Sequence, residues 1–327
     1  MHMQSKIIIP AQFALITPSY RNDLELATDL CNSIDRYVTG DYEHIMIVPQ
    51  RDLALFKALE SPHRRVISEK QLLRGYGLFS LPLPTRISLP FMRPFKFRQQ
   101  WWCRGVGRIS GWVTQQLIKL SAVKLTSAPF LVFIDSDVVL IRSLDLRTLL
   151  APSGASYLQQ APMRPELTRH QRWYSAARKL FAIGDKSSPP HNYVGNLIVW
   201  RAAVVKALHA HLDALHHEPW QRAIARTRDF SEYILYGVYA SEVHRSADAH
   251  VFQPSELTCS VWVSKCALVA EAIADVMSPN SVALHLQSTL PLSVNERRKL
   301  CQQVIENRAT NIAAGSLPLG RERLVAS

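Results

Sequence analysis

The sequence predicts an α/β protein whose central sheet is mostly parallel and carries helices on both faces. Residues 130–134 form an unbroken apolar run after Pro129, which is the pattern of a central strand buried on both faces. The chain also opens with a strand, a helix and a second strand, which indicates a β-α-β unit. Sheets of this kind bind ligands at the carboxyl ends of their strands, so a ligand site is expected there.

Hydrophobic spacing predicts the first elements. They are strands at 6–16, 44–49 and 65–68 and helices at 25–37 and 52–60. The polar turn at 17–23 joins the first strand to the first helix. This turn lacks the Gly-x-Gly fingerprint of dinucleotide-binding proteins, although the base or ribose of a nucleotide could still contact it.

Residues 72–111 are rich in proline, arginine and lysine and follow no regular hydrophobic pattern. An irregular segment of this length inside a compact domain is usually functional or mobile. One interpretation is a positive loop that covers a diphosphate or steers an anionic acceptor. The other is a solvated basic insertion, and the sequence leaves both open.

The hydrophobic spacing of residues 112–125 predicts a helix, and this helix has an unusual polar face. Trp112, Gln115, Gln116 and Lys119 fall at i, i+3, i+4 and i+7, so they lie on one side of the helix. An indole, two amides and an ammonium group suit a ligand that combines an aromatic base, hydroxyls and phosphate. Each of the four could instead be structural, with Trp112 packed and Lys119 solvated.

The apolar strand at 130–134 leads directly into Asp135-Ser136-Asp137. If the chain stays extended here, its period of two places both carboxylates on one side, where they can hold one hard divalent cation. Such a pair is costly to bury without a positive partner. Two chemistries fit: a metal-diphosphate site, or the aspartyl nucleophile of phosphatases of the haloacid dehalogenase type.

The second half of the chain carries two further candidate residues. The expected elements there are strands at 157–160 and 282–287, a polar turn that enters a strand at 191–200, and helices at 201–215, 229–239 and 296–308. Glu232 lies in the first turn of its helix, where the helix dipole favours a carboxylate, or it serves as a general base. His285 sits among apolar residues, which is typical of a hydrogen-bonded core histidine.

Composition and charge narrow the class of protein. The 327 residues suffice for one large α/β domain, and their ordinary composition excludes disordered and fibrous proteins. A formal net charge of +12 predicts attraction to nucleic acid, an anionic membrane surface or an acidic substrate. No recognition helix or RNP-type motif is found, so nucleic acid is not expected as a partner.

The expected location is the cytoplasm, with peripheral contact to a membrane through the basic surface. Five cysteines without a C-x-x-C pair support neither a zinc knuckle nor a disulfide framework, which favours a reducing compartment. No uninterrupted apolar run approaches the roughly 18 residues of a membrane span.

Five short motifs occur in order: T-P-S-Y, W-x-x-Q-Q-x-x-K-L, F-I-D-S-D, Y-V-G-N and S-E-Y-x-L-Y-G. Together they resemble bacterial glycosyltransferases of the GT-A fold, in particular the DUF6492 type, over roughly residues 10–290. The resemblance implies one GT-A domain at 1–310 and a tail at 311–327. Its nucleotide-binding half would span about 8–145 and its acceptor-side half about 146–310.

The resemblance also implies roles for individual residues. Asp135 and Asp137, with Ser136 between them, would bind Mn²⁺ or Mg²⁺ and the donor diphosphate, and His285 becomes a candidate third metal ligand. Glu232 resembles the acidic residue that begins the acceptor-side helix and would be the base of an inverting enzyme. Contacts to the donor or acceptor are implied for Thr17, Pro18, Tyr20, Asp23, Gly195 and Asn196.

The implied activity is transfer of a sugar from a nucleotide-diphosphate donor, with a UDP-sugar expected, to a glycan or lipid-linked acceptor. The basic surface favours an anionic acceptor, and the synthesis of surface polysaccharide is the expected setting. Two alternatives stay open. One is a magnesium-dependent phosphatase of the haloacid dehalogenase type that uses Asp135, and the other is a non-enzymatic polyanion-binding protein.

Overall fold

The structure is a computed structural model. It describes residues 11–80, 86–87, 95–96, 100–184, 190–244, 248–254, 257–262 and 269–313. The strands in the first part are β1 (Phe13–Pro18), β2 (Val38–Thr39), β3 (Tyr42–Val48), β4 (Arg64–Ser68), β5 (Leu78–Ser80), β6 (Arg86–Ile87), β7 (Phe95–Lys96), β8 (Trp101–Cys103), β9 (Gly107–Ile109) and β10 (Phe130–Ile134). Those that follow are β11 (Val138–Leu140), β12 (Leu144–Asp145), β13 (Ser156–Gln159), β14 (Ala161–Pro162), β15 (His191–Asn192), β16 (Leu197–Arg201), β17 (His250–Gln253), β18 (Thr258–Val261) and β19 (Ala283–Leu286). The α-helices are α1 (Leu24–Tyr37), α2 (Leu53–Phe56), α3 (Lys70–Leu73), α4 (Gly111–Ser121), α5 (Thr168–Leu180), α6 (Ala202–His216), α7 (Trp220–Arg226), α8 (Glu232–Val238), α9 (Ala270–Val276) and α10 (Val294–Ala313).

The central sheet confirms the predicted fold class. Its strand order is β16-β10-β1-β3-β4, and all neighbours pair in parallel except β10 and β16, which are antiparallel. The chain runs outward from β1 through β3 to β4 and then returns to place β10 on the other side of β1. The direction of strand addition therefore reverses between β1 and β10, which makes this point the topological switch of the sheet.

Both faces of this sheet are covered, as the apolar strands predict. In β1, Ala14 and Ile16 join a large core with residues of α4, α6 and α8, whereas Phe13 and Leu15 pack with residues of α1 on the opposite face. All five residues of β10 are buried. Alternate side chains of one strand thus fill two separate cores, so the run has no polar face.

A second sheet lies beside the carboxyl end of β10. Its order is β11-β19-β18, with β11 and β19 antiparallel and β18 and β19 parallel. Residues of α9, α10 and β19 form its apolar core. The pairing places His285 of β19 opposite Val138, the first residue after the D-x-D segment.

The expectation that residues 72–111 are irregular is wrong for part of that segment. β5, β8 and β9 form a three-stranded antiparallel sheet, and Trp101, which is 3% exposed, anchors it through a 2.9 Å hydrogen bond from Nε1 to Oε1 of Glu69. Positions 81–85, 88–94 and 97–99 lie outside the described residues, as do 314–327 of the predicted tail. α10 ends at Ala313, so its last three residues lie inside the predicted tail.

Candidate active site

The switch point of the central sheet brings two polar turns together. The turn after β1 and the turn after β10 leave the carboxyl edge from neighbouring strands. Ser136 Oγ lies 3.4 Å from Oδ2 of Asp23 and donates a hydrogen bond to it. Arg21 fixes the first turn because its Nε donates to the fully buried Asp52 at 2.7 Å. Asp23 therefore belongs to the same site as the D-x-D residues.

The D-x-D segment does not stay extended, which corrects the expectation that its carboxylates share one side. The carbonyl of Asp135 accepts a hydrogen bond from the Val138 amide at 3.2 Å, so residues 135–138 form a turn. The side chain of Asp135 continues the alternation of side chains along β10. It therefore lies on the face of the sheet that α4 covers, where it contacts Lys119. The turn directs Asp137 to β19 and His285 instead.

A buried ion-pair network surrounds Asp135. Lys119 Nζ lies 2.8 Å from Asp135 Oδ1, 2.9 Å from Glu232 Oε1 and 2.9 Å from Tyr233 Oη. We call these four residues the Lys119 network. Lys119 is 2% exposed and Glu232 1%. Burial alone would lower the pKa of Lys119, but Asp135 and Glu232 outweigh burial and hold it well above its usual value.

A second acidic group surrounds Asp137. Its Oδ2 lies 3.4 Å from His285 Nε2 and accepts a 2.8 Å hydrogen bond from the Ser288 amide. Burial would raise the pKa of Asp137, but the contacts with His285 and Ser288 outweigh it and the pKa is lowered. Asp23 has its pKa raised to about 6, first by burial and then by the charge of Asp137. We call Asp23, Ser136, Asp137 and His285 the Asp137 cluster.

The Asp137 cluster is open to ligand on one side. A pocket of about 230 Å³ lies between α1 and α10 and is lined by Ser136 and Asp137. Its walls include Leu26 and Leu286, and Arg36 stands at its rim. Solvent and small ions can therefore reach Asp137 from the side opposite the Lys119 network.

The predicted Gly195-Asn196 turn also reaches this edge. Asp135 follows β10 and Asn196 precedes its antiparallel partner β16, so the two residues are neighbours across the sheet. A side chain at Gly195 would have its Cβ 2.6 Å from Oε1 of Gln159 and 2.8 Å from Cδ1 of Ile198, so both of these side chains would have to shift. Asn196 is buried and donates to Ser260 Oγ at 2.8 Å, which ties the turn to the second sheet.

Two residues of the first turn lie in the core rather than at the opening. Thr17 is fully buried, and its Oγ1 is 3.0 Å from Nε2 of His44. His44 Nδ1 accepts a hydrogen bond from Arg64, so Nε2 carries the proton and donates to Thr17. Pro18 is buried at the end of β1, whereas Tyr20 is 43% exposed beside Asp23. In this turn, Tyr20 and Asp23 are the predicted donor contacts that a ligand can reach.

The polar face of α4 is divided between two environments. Gln116 is buried and its Oε1 accepts a 3.3 Å hydrogen bond from the amide of Glu232, next to the Lys119 network. Gln115 is partly buried. Trp112, at the start of the helix, stacks on Trp173 of α5 with ring centroids 5.3 Å apart. Trp112 is therefore remote from the D-x-D turn, unlike Lys119.

Arg297 holds the Asp137 cluster in place and was not predicted. It is 5% exposed, and its guanidinium donates to backbone carbonyls at positions 286, 287, 288 and 290, the loop that supplies the Ser288 amide. An arginine in a basic terminal helix is ordinarily expected in solvent, so no sequence pattern distinguishes this one.

The residues of the Asp137 cluster fit a divalent cation that a donor diphosphate helps to bind. Among the described residues, no three His, Cys, Asp or Glu side chains are arranged as a complete metal site. Mg²⁺ usually takes one or two protein carboxylates and completes its shell with waters and substrate phosphates, so a complete protein cage is not required. Carboxylates also suit Mn²⁺, and the pKa of Asp23 is raised first by burial and then by the charge of Asp137, so a cation placed beside both would favour their ionised forms.

The structure is that of an α/β protein with a group of acidic residues at the switch point of a mostly parallel sheet. The chain belongs to DUF6492, described as a family of unknown function, which matches residues 3–305. This confirms the family that the motifs indicate. No curated protein matches the chain.

Two solved structures are similar in overall shape. Mouse xyloside xylosyltransferase 1 in its apo form has a TM-score of 0.44 and 11% identity, over 86% of this chain and 99% of that one. The bifunctional glycosyltransferase WbbM, also apo, has a TM-score of 0.45 and 12% identity, over 93% of this chain and 50% of that one. Both TM-scores are below 0.5, so no activity follows from either likeness.

Proposed function

We propose that this protein is a metal-dependent glycosyltransferase of the GT-A type. It would move a sugar from a nucleotide-diphosphate donor, with a UDP-sugar expected, to a glycan or lipid-linked acceptor during the synthesis of surface polysaccharide. The observation that carries the proposal is the meeting of Asp23, Asp135, Asp137 and His285 at the carboxyl edge of the sheet, around its switch point. Open α/β sheets bind their ligands at this edge.

Asp137 and His285 are the residues best suited to hold Mn²⁺ or Mg²⁺. The carboxylate and imidazole already face each other at 3.4 Å, and Asp23 adds negative charge beside them. When bound, the cation would offset the charge that builds on the departing nucleoside diphosphate. Asp135, whose side chain is 24% exposed, keeps a carboxylate surface for the cation or for a donor hydroxyl.

The Lys119 network orients Asp135 for this role. A carboxylate held by an ammonium group at 2.8 Å has one preferred position, and the ammonium group is itself fixed by Glu232 and Tyr233. Preorganised charges of this kind need no rearrangement at the moment of reaction. We assign Glu232 to positioning Lys119, because its 1% exposure leaves no surface for an acceptor hydroxyl. This replaces the general-base role that the sequence suggests.

The setting that we propose is the cytoplasm, with peripheral contact to the membrane. The net charge of +12 favours an anionic surface or acceptor. Within the described ranges, no helix is both long and apolar enough to cross a membrane.

Thermal unfolding in the presence of nucleotides tests the proposed function. UDP, GDP and CDP are each added with and without Mn²⁺, at about a hundred times the expected Kd, where a specific ligand adds about 2.7 kcal/mol of stability. We expect one nucleoside diphosphate to raise the Tm by several degrees, and only when Mn²⁺ is present. Hydrolysis of the matching nucleotide sugar should then also require Mn²⁺.

The same experiment discriminates against the two alternatives. Stabilisation by Mg²⁺ with a phosphomonoester, and not by any nucleoside diphosphate, would indicate the phosphatase. Stabilisation by DNA or polyphosphate of any kind, without a metal requirement, would indicate a polyanion-binding protein. Either result would overturn the proposed transferase.

A further inference from the structure

An aromatic stack with one arginine lies at the start of α4, outside the D-x-D edge. The rings of Trp112 and Trp173 are 5.3 Å apart and 17° from parallel, and His170 stacks on the other side of Trp173 at 4.9 Å and 16°. The guanidinium carbon of Arg169 is 5.0 Å from the Trp112 centroid and 4.7 Å from that of Trp173. We call these four residues the Trp112 platform.

Hydrogen bonds fix the orientation of the rings. Trp112 Nε1 donates to the carbonyl of Phe230 at 2.7 Å, and Trp173 Nε1 donates to Oδ1 of Asp229 at 2.6 Å. The polar edges of both indoles are therefore used within the protein, and the surface left for a ligand is an apolar ring face. A platform that is already fixed loses little conformational entropy when it binds.

The outer members of the platform are exposed. Trp112 is 36% exposed, against 5% for Trp173, and the side chain of Arg169 is 56% exposed. A large indole whose purpose was to fill the core would be buried like Trp173. Exposed tryptophan and arginine side chains are the residues that most often dominate a binding surface.

Arg169 retains donors for an anion. Its closest described carboxylate oxygen is Asp229 Oδ1, 3.9 Å from Nε, and that oxygen already accepts from Trp173. Arg172 Nε takes the other oxygen of Asp229 at 3.3 Å. No described residue accepts a hydrogen bond from the guanidinium of Arg169, which can therefore bind a carboxylate through two parallel N–H groups.

The platform lies near the Lys119 network. Trp112 and Lys119 share one face of α4 and are seven residues apart, which is about 10 Å along the helix axis. Phe230, which fixes Trp112, is two positions before Glu232 of the Lys119 network. A chain molecule that rests on the platform would have to extend about 10 Å along α4 to come level with Lys119.

We propose that the Trp112 platform is an acceptor subsite for an anionic glycan. The apolar C–H face of a sugar ring would pack on the Trp112 indole, and the carboxylate of a uronic acid would bind Arg169. The proposal rests on the glycosyltransferase function and specifies the acceptor as a glycan that contains uronic acid. The sequence suggested that Trp112 contacts the base of the donor, whereas this proposal assigns Trp112 to the acceptor.

Calorimetric binding of two tetrasaccharides, without donor or metal, tests this subsite. A hyaluronan tetrasaccharide carries glucuronate, and chitotetraose is a neutral counterpart. We expect the acidic glycan to bind at least about tenfold more tightly, which corresponds to one charge-assisted contact. Arg169→Ala should remove this preference, and Trp112→Ala should weaken the binding of both glycans about tenfold.

Arg147→Ala and Phe79→Ala are the matched controls. Arg147 is an exposed arginine that pairs with Asp145 at 2.7 Å, and Phe79 is 45% exposed on β5. Both controls should bind the two glycans as the wild-type protein does. Melting curves confirm that every variant is folded.

Three outcomes would overturn the subsite: equal binding of both glycans by wild type, unchanged binding by Arg169→Ala, or an equal loss in Arg147→Ala. If UMP or a single-stranded oligonucleotide binds in a Trp112-dependent way and the glycans do not, the platform stacks on nucleobases and is not a glycan subsite. Turnover of the donor is measured separately on the wild-type protein. If turnover fails while glycan binding depends on Arg169, the proposed transferase is wrong and the platform is a glycan-binding site without an acceptor role.

Discussion

Asp135 and Asp137 are separated by a single residue, yet they belong to regions of different character. Around Asp135, the buried ammonium group of Lys119 contacts two carboxylates within 2.9 Å. Around Asp137, the carboxylate contacts His285 and the Ser288 amide, and the neighbouring Asp23 has its pKa raised to about 6 by burial and by the charge of Asp137. The first region places an ammonium group directly against both of its carboxylates, whereas in the second the buried cation, Arg297, donates its hydrogen bonds to backbone carbonyls.

The difference assigns separate tasks to the two halves of the D-x-D motif. A carboxylate that is already paired with an ammonium group gains little from a metal ion, whereas a carboxylate whose direct partners are a histidine and a backbone amide gains more. We infer that the Lys119 network sets the position of the turn and that the Asp137 cluster receives the cation. The predictions below test this division, beginning with the largest expected effect.

Lys119→Met should destabilise the fold by about 3 to 5 kcal/mol, because it leaves the carboxylates of Asp135 and Glu232 together without a cation. The measurement is the free energy of unfolding in urea. Lys124→Met is the control, since Lys124 is exposed and contacts the ring of Tyr76 at 4.4 Å. Its loss should cost no more than about 1 kcal/mol. Equal stability of the two variants would mean that the network does not depend on Lys119.

Asp137→Asn should reduce metal-dependent turnover of the donor by roughly a hundredfold or more, since a cation would lose its main ligand. The fold should be retained, because the side-chain oxygen of the asparagine can still accept a hydrogen bond from the backbone N–H of Ser288. Asp145→Asn, which alters an exposed carboxylate paired with Arg147, should leave turnover unchanged. Turnover at the wild-type rate in Asp137→Asn would remove Asp137 from the metal site.

Glu232→Gln should cost about 1 to 3 kcal/mol of stability, because a charged partner of Lys119 becomes neutral. If Glu232 positions Lys119, sugar transfer and donor hydrolysis should decline together and only modestly. Steady-state kinetics with and without acceptor measure both reactions. A selective and complete loss of transfer, with stability intact, would restore Glu232 as the general base.

The sequence predicts the framework of this site better than its contacts. The apolar run of β10 and the β-α-β opening place Asp23 and the D-x-D residues at one edge, since those features follow from local spacing. Whether Asp137 turns toward His285 depends on β19, about 150 positions later, and no local pattern encodes that pairing. The burial of Thr17 and Arg297 likewise depends on partners far along the chain.

Asp23→Asn should produce the smallest effect, and one that depends on pH. The pKa of Asp23 is raised from 3.8 to about 6, so its ionisation destabilises the folded state, and stability falls as pH rises from about 4 to about 6. Above pH 6 the variant should therefore be more stable than wild type by about 1 to 2 kcal/mol, allowing for solvent screening of a half-buried group. Urea unfolding at several pH values should show no difference below pH 4. A difference that does not change with pH would mean that neither burial nor the charge of Asp137 disfavours the ionised form of Asp23.

The most direct test of the account is a crystal structure with Mn²⁺ and UDP in which anomalous scattering locates the metal. The account predicts a peak within bonding distance of a carboxylate oxygen of Asp137, with the diphosphate on its far side and the contact between Lys119 and Asp135 unchanged. A metal bound only to Asp135 with Lys119 displaced, or no metal at this edge of the sheet, would contradict it.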